Sequence, residues 1–320
     1  MSAELPHLNA QGYPEGTVAG WLSSWLAERS ADGSIARSTL ERDRLVLEKH
    51  VIPSIGLIAL SELRELDITA LRDRWTTGAN STARRPLARS TVQKQLKILR
   101  QALAAAVSRM EVSRNPAVGV RLPAREFAAE QRSLSETEIA ALLSGARDTA
   151  YDIPIRIALA TGIRQAELLD LCWDDVDLVG QTLLVRGTKS LRSRRLLELS
   201  KSTIAILHIH RQLIAARGAG TSGHALVFPG PDGERWNRGL FYRGYRRIIE
   251  RSGLGSPQSV KWHTLRHTAA SHWLLRGVDV LVVSRRLGHA SVSFTMDVYA
   301  HLLPGQQRTA AEAFDELLCS

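Results

Sequence analysis

Three histidines and an arginine fall within HTLRHTAASH, residues 263–272, of a chain that has ten histidines in 320 residues. His263, Arg266 and His267 stand at i, i+3 and i+4, so on one helix they share a face. Paired histidines at that spacing suit zinc, but the glutamate of a His-Glu-x-x-His site is missing and an arginine inside the cluster repels a cation. An anion clamp with a proton-transfer group beside it is the other chemistry these residue types allow. Downstream, SRRLGHASVSFTMDVYAHL closes a helix at Gly288, sets His289 just past that cap and carries Tyr299 ten residues on in a fresh helix. Upstream, Arg164 and Glu167 in TGIRQAELLDL are three apart on a helix, close enough to pair. Lys189 sits in a turn between two strand-like runs, one of six lysines in a chain with thirty-six arginines. Lysine can release a proton near neutral pH once its pKa is lowered; arginine effectively cannot. Singly, each of these residues has an ordinary explanation as a surface pair, an edge charge or a packing group. The acids of WDDVDL, residues 173–178, lack the glycine and distal glutamate of a calcium loop and read as a turn.

The elements that must hold these residues are legible in outline. TVAGWLSSWLAERS (17–30) has helical apolar spacing, and STLERDRLVLEKHVIP opens with Ser38 and Glu41 in capping-box register and is expected to stop before Pro53. In STVQKQLKILRQALAAAVSRM (90–110) Val92, Leu96, Leu99, Leu103, Val107 and Met110 recur at steps of three and four, which places Lys94, Lys97 and Gln101 on the opposite face. Periodicity lapses from about 114, and Ser135 with Glu138 signals a new helix start. Helices are expected near 136–146 and 152–172, then two short strands around a turn in QTLLVRGTKSLRSRRLLELS, then helices to the end.

A chain of 320 residues exceeds the usual size of one core, so two domains are expected. Its 44% hydrophobic and 23% charged residues fit an ordinary globular protein, and its longest apolar runs fall far short of a membrane span. With no signal-peptide pattern and two cysteines, Cys172 and Cys319, a cytoplasmic protein with reduced thiols is the simplest reading. The net charge of +10 suits a polyanionic partner. From Arg84 to Arg125 ten basic residues face one acid, Glu111, a bias that points to phosphate contact.

Taken together and in chain order, TGIRQAELLDLCWDDVDL, the TKS hairpin, HTLRHT and LGHASVSFTMDVYAH resemble the tyrosine recombinases, the phage integrase and Xer-type DNA strand-exchange enzymes. The resemblance covers about 130–305, and the helical 17–120 stretch looks like their core-binding domain. It implies a mainly α protein with a small antiparallel β-sheet in the C-terminal domain, built as a two-domain DNA clamp. The expected boundaries are a flexible tail at 1–14, a helical core-DNA-binding domain at 15–120, a linker at 121–133 and a catalytic domain at 134–320.

Carried over by the same resemblance, Arg164 and Arg266 hold the scissile phosphate, Lys189, His263 and His289 complete the pocket, and Tyr299 is the nucleophile that forms a covalent 3′-phosphotyrosine. Glu167 supports Arg164, and His267 is a structural neighbour. His272 has no motif position, and Thr264 replaces a frequent aspartate. Lys189 is the expected general acid. His263 is favoured as the base and His289 as donor to a phosphate oxygen, although the sequence does not separate those two roles. Neither metal, ATP nor any other cofactor is implied. The expected partner is double-stranded DNA with a specific core site, met by Arg84, Arg85, Arg89, Lys94, Lys97 and Arg100. A homotetramer on synapsed DNA is implied too, with the apolar stripe of residues 305–318 either exchanged between protomers or packed on its own domain. An accessory directionality factor is left open, as are integration, excision and dimer resolution. Three rival readings remain: a type IB topoisomerase-like activity, a DNA-binding regulator on the same fold, and a metal-dependent nuclease, the last weakened because the acids do not converge with the histidines.

Overall fold

The computed structural model describes residues 8–33, 35–79, 85–122, 132–187, 194–256, 258–289 and 291–300. The chain divides into two compact units, residues 1–128 and 129–320. The first is all helical among the described residues: α1 (Val18–Ala31), α2 (Arg37–Val46), α3 (Ile52–Ile55), α4 (Glu65–Thr77) and α5 (Arg89–Ser108). Thr17 starts α1 by accepting the Gly20 N–H. Residues 8–14, expected as free tail, instead lie on α1, where Asn9 Nδ2 donates to the Gly20 carbonyl at 3.0 Å and to Ser23 Oγ at 2.7 Å.

Two local expectations fail here for identifiable reasons. Helix α2 begins two residues earlier than a Ser38 cap requires, with Ala36 at the cap and no side-chain cap bond, so Glu41 pairs with Arg37 at 2.9 Å instead. Nor does the helical path end before Pro53. A π-helical turn at Leu47–Val51 leads into α3, and Pro53 sits in its first turn, where a missing N–H costs no bond.

The periodicity of α5 is realised from Val92 to Leu103, but Met110, expected on the same stripe, lies past the helix end at Ser108 and is exposed. Val92, Leu96, Leu99 and Leu103 are fully buried against Leu22, Leu47, Leu71 and Trp75, while Lys94 and Lys97 are exposed. The pattern works because the polar face needs only water and the apolar face can close a core by itself.

The second unit holds α6 (Glu136–Ala146), α7 (Asp152–Thr161), α8 (Gln165–Leu169), α9 (Lys201–Ala216), α10 (Arg238–Arg251), α11 (Trp262–Leu275), α12 (Val280–Leu287) and α13 (Val292–Tyr299). Ser135 and Glu138 form the expected reciprocal capping box at α6. A three-stranded antiparallel sheet, order β1-β2-β3, is made of β1 (Val176–Asp177), β2 (Thr182–Val185) and β3 (Arg195–Glu198), with Leu183 opposite Leu197 and Val185 opposite Arg195. The WDDVDL acids serve this turn region. Asp175 accepts from the Cys172 N–H and from Arg186, and Asp177 accepts from the Val179 and Gly180 N–H groups.

The stretch 152–172 is not one helix. Gly162, at φ 64° and ψ 18°, ends α7, and Arg164 in extended conformation restarts the chain as the cap of α8. A side chain at Gly162 would put its Cβ 2.7 Å from Leu287 Cδ2, so glycine is needed there for space as well as for backbone sign. Helix α11 buries most of its residues but leaves His263 and Leu275 exposed, and its Trp262 meets Phe241 and Tyr245 edge-on at 4.9 and 5.0 Å. A smaller cluster of Ala270, Leu274, Val283, Leu287 and Tyr299 joins α11, α12 and α13. No described helix is long and apolar enough to cross a membrane.

Leu99 lies at the centre of the first unit with none of its surface exposed. Leu99→Ala is expected to cost about 2–5 kcal/mol of unfolding free energy. Urea unfolding followed by far-ultraviolet circular dichroism measures it, and a cost below about 1 kcal/mol would deny this residue a close-packed environment.

Candidate active site

The last three residues at the C-terminal end of α12 and its cap hold three arginines through their carbonyls. Arg195, from β3, donates Nε to the Arg286 carbonyl at 2.7 Å. Arg266, from α11, donates Nη2 to the Leu287 carbonyl and Nη1 to the Gly162 carbonyl, the latter at 2.8 Å. Arg164, from the start of α8, donates Nη2 to the Gly288 carbonyl at 3.1 Å. A helix C-terminus leaves its last carbonyls without intrahelical partners and carries a partial negative charge, so it is a natural seat for cations. Gly288 ends α12 in the left-handed region at φ 65°, and a Cβ there would lie 3.0 Å from Arg195 Nη1.

One carboxylate completes this frame. Glu167, 6% exposed, accepts Arg164 Nη1 at 2.8 Å and Arg195 Nη2 at 2.8 Å. Burial alone would raise its pKa; the Arg195 and Arg164 hydrogen bonds and the Arg195 charge outweigh that and hold the carboxyl below its usual range. Two guanidiniums are therefore bonded to one carboxylate, and with Arg266 beside them the cluster keeps a positive surplus. Arg266, 2% exposed, registers it: burial, then the Arg164 and Arg195 charges, bring it down to about 9, still protonated at neutral pH.

Around the arginines stand the histidines and the tyrosine. The Tyr299 hydroxyl lies 2.6 Å from Nδ1 of His267. With the ring proton on Nε2, the phenol donates. Burial pushes Tyr299 up to about 12 although Arg266 pulls the other way, while burial, His263 and Arg266 push His267 down to about 4. Both partners are neutral at pH 7. His289 places Nδ1 2.8 Å from Thr295 Oγ1 and makes no hydrogen bond through Nε2 among the described residues. Burial, then Arg266 and Arg164, hold it down to about 3. His263 meets His267 edge-on at 4.6 Å, and burial with the same two arginines lowers its pKa too.

Six of the expected residues thus converge: Arg164, Glu167, His263, Arg266, His289 and Tyr299. Lys189 lies outside the described residues, as do Arg84 and the 305–318 stripe. The tyrosine hydroxyl meets His267, left as a structural neighbour by the sequence, and no hydrogen bond joins it to His263 among the described residues. The geometry is simple: Tyr299 reaches α11 one turn beyond His263. Arg195 was missed altogether, and nothing local marks it within RSRR. His272 donates Nε2 to the Leu134 carbonyl at 2.8 Å and keeps a structural part. In the first unit, Arg100 spends Nε and Nη2 on the Ala117 and Val120 carbonyls, so its guanidinium braces that unit's own chain.

A profile of the phage integrase family matches residues 132–305, which contain every member of this cluster. The chain belongs to that family. It is a tyrosine-type recombinase in sequence as well as in fold. An integrase of Streptomyces ambofaciens is 28% identical, covering 93% of this chain and 80% of that protein. Tyrosine recombinase XerD of Mycobacterium tuberculosis is 28% identical, covering 87% of this chain and 92% of its own length. In fold the chain is similar to the Tn1549 transposon integrase, solved in complex with a circular intermediate DNA, at a TM-score of 0.76 and 18% identity over 94% of this chain and 100% of that one.

The depressed histidines give this recombinase a signed pH dependence. Below the ordinary value of 6.5 the unfolded chain binds protons that folded His267 and His289 refuse until about 4 and about 3. The stability they contribute is complete above 6.5 and drains as pH falls through that window. The urea midpoint should drop between pH 7 and pH 4.5, and the drop should shrink in the His267→Asn, His289→Gln double variant. An equal drop in both proteins would contradict the assignment.

Proposed function

We propose that this recombinase cuts and rejoins DNA strands at a specific core site through a covalent 3′-phosphotyrosine intermediate, with neither metal nor ATP. The observation that carries the reading is the convergence of Arg164, Arg266 and His289 beside the buried hydroxyl of Tyr299. Phosphoryl transfer concentrates negative charge on the equatorial oxygens, and fixed guanidiniums offer paired N–H donors to those oxygens, the service a divalent cation performs elsewhere. Their own fixed bonds to carbonyls and Glu167 mean that little reorganisation is needed when the phosphate arrives.

In the reaction, the Tyr299 oxygen attacks phosphorus, the bond to the 5′ oxygen of the next nucleotide breaks, and the phosphate stays on the tyrosine. At a pKa of about 12 the phenol is hard to ionise, a deficit of roughly 7 kcal/mol at pH 7. The proton therefore leaves as the bond to phosphorus forms, and His267 is already hydrogen-bonded to it. His289 Nε2 donates to a phosphate oxygen, His263 lines the same pocket, and Lys189 protonates the departing 5′ oxygen. Attack by a 5′-hydroxyl of a second duplex reverses the steps and reseals the strand, because the phosphotyrosine keeps the energy of the original bond.

Binding affinity comes from phosphate contacts. The exposed Lys94 and Lys97 of α5, with Arg85 and Arg89 beside them, supply these in the first unit, and the second unit supplies the cutting pocket. On synapsed DNA the working assembly is a tetramer whose C-terminal segments exchange between protomers.

A duplex nicked near the cleavage point loses its short 5′-hydroxyl strand after attack and so traps the intermediate. The wild-type protein should form a covalent adduct in EDTA, visible by denaturing gel electrophoresis, and Tyr299→Phe should form none while binding the same duplex within about twofold. A bridging 5′-phosphorothiolate, whose leaving group needs no proton, should restore cleavage to Lys189→Ala. Binding without any adduct would replace this reading with that of a DNA-binding regulator, and loss of the adduct on chelation would restore a metal-dependent one.

A further inference from the structure

Arg195 stands outside the residues that the sequence points to, yet it is the most deeply built member of the arginine cluster after Arg266. It is 8% exposed, and it rises from β3 opposite Val185 to reach two other elements. Nη2 and Nη1 lie 2.8 and 3.3 Å from the two oxygens of Glu167, and Nε lies 2.7 Å from the Arg286 carbonyl. Its Cδ and guanidinium carbon lie where a Gly288 side chain would otherwise begin, at 3.1 and 3.3 Å. Such a close fit between a strand arginine, a helix cap and a carboxylate is expensive to assemble unless the charge has work to do.

That work follows from sharing. Glu167 is the carboxylate bonded to Arg164, and a carboxylate bonded to a single arginine cancels most of its field at a short distance. Arg195 is bonded to the same carboxylate from the other side. We infer that Arg195 is a positioning residue that takes up the charge of Glu167, so that Arg164 is held in place by the carboxylate without being neutralised by it and keeps its charge for the scissile phosphate. Glu167 orients Arg164, and Arg195 prevents that orientation from weakening phosphate binding in the transition state. Because Arg195 also fastens β3 to the end of α12, that strand is seated on the Arg286 carbonyl, next to the Leu287 and Gly288 carbonyls that hold Arg266 and Arg164.

The inference rests on the phosphotyrosine reading, and its test separates the two. Single-turnover cleavage of the nicked duplex is measured at saturating protein for wild type, Arg195→Met, Glu167→Gln and the double variant, with thermal unfolding recorded for each. Arg195→Met should slow cleavage about 100-fold with little change in duplex affinity. In the Glu167→Gln background the same substitution should cost no more than about twofold, since no carboxylate charge is left to absorb. That comparison stands even if Arg195→Met alone folds poorly. On a duplex with a methylphosphonate at the scissile position, which carries one negative charge fewer, the ratio of wild-type to Arg195→Met rates should shrink at least tenfold relative to phosphate. A residue that merely braces the fold would give the same ratio on both substrates, and this result, or a full loss in the Glu167→Gln background, overturns the inference. Absence of any wild-type adduct would fail the phosphotyrosine reading instead.

Discussion

The end of α12 is the point on which the second unit turns. Its Arg286, Leu287 and Gly288 carbonyls accept Arg195, Arg266 and Arg164, which come from a strand, a central helix and the start of a short helix. Buried like charges repel, and a cluster of three guanidiniums with one carboxylate cannot form on side-chain pairing alone. The unpaired carbonyls and the negative end of the α12 dipole offset that repulsion by direct hydrogen bonding. A glycine is required at each of two places where the frame closes. Gly162 lends a carbonyl to Arg266 and leaves room for Leu287; Gly288 lends a carbonyl to Arg164 and leaves room for Arg195. The pocket is thus assembled before any phosphate enters it.

The same surplus of positive charge sets the state of everything around it. His267 and His289 are held neutral at pH 7 by burial and by the arginines, and Tyr299 keeps its proton because burial outweighs the pull of Arg266. An incoming phosphate changes the sign of the local field. In the proposed reaction it would favour protonated imidazole and so let the histidines act as proton carriers when the substrate is present. The tyrosine sits in a small cluster of its own with Leu274, Val283 and Leu287, apart from the main core of the unit, and α13 that carries it is one of the shortest helices. Segments with few buried contacts are those that open most readily, which suits an element whose side chain, in the proposed reaction, travels to phosphorus.

How much of this was legible depended on whether the determining interaction was local. Arg164 with Glu167, His263 with Arg266, and the Gly288 to Tyr299 spacing are short-range patterns, and all of them landed in one pocket. The α5 stripe was equally plain, since helical periodicity records a face that must be buried. Arg195 was invisible because its partners are 28 and 91 residues away and it is one arginine among thirty-six. The meeting of His267 with Tyr299 spans 32 residues and turns on how α13 packs, which spacing along either helix does not encode. The helix misread at 152–172 had the right apolar period, but Gly162 broke it for the sake of a distant leucine and a distant arginine. Where Ser38 failed as a cap, Arg37 offered Glu41 a competing partner one turn away.

The central claim, that the α12 carbonyls and Glu167 hold three arginines ready for a phosphate, is tested most directly by a crystal structure of the Tyr299→Phe protein on an uncleaved duplex carrying its core site. The account predicts the non-bridging oxygens of one phosphate within about 3 Å of the Arg164 and Arg266 guanidiniums, with Arg195 still on Glu167 and all three carbonyl bonds retained. A phosphate seated elsewhere, or an Arg195 drawn off Glu167 to bind it, would contradict that claim.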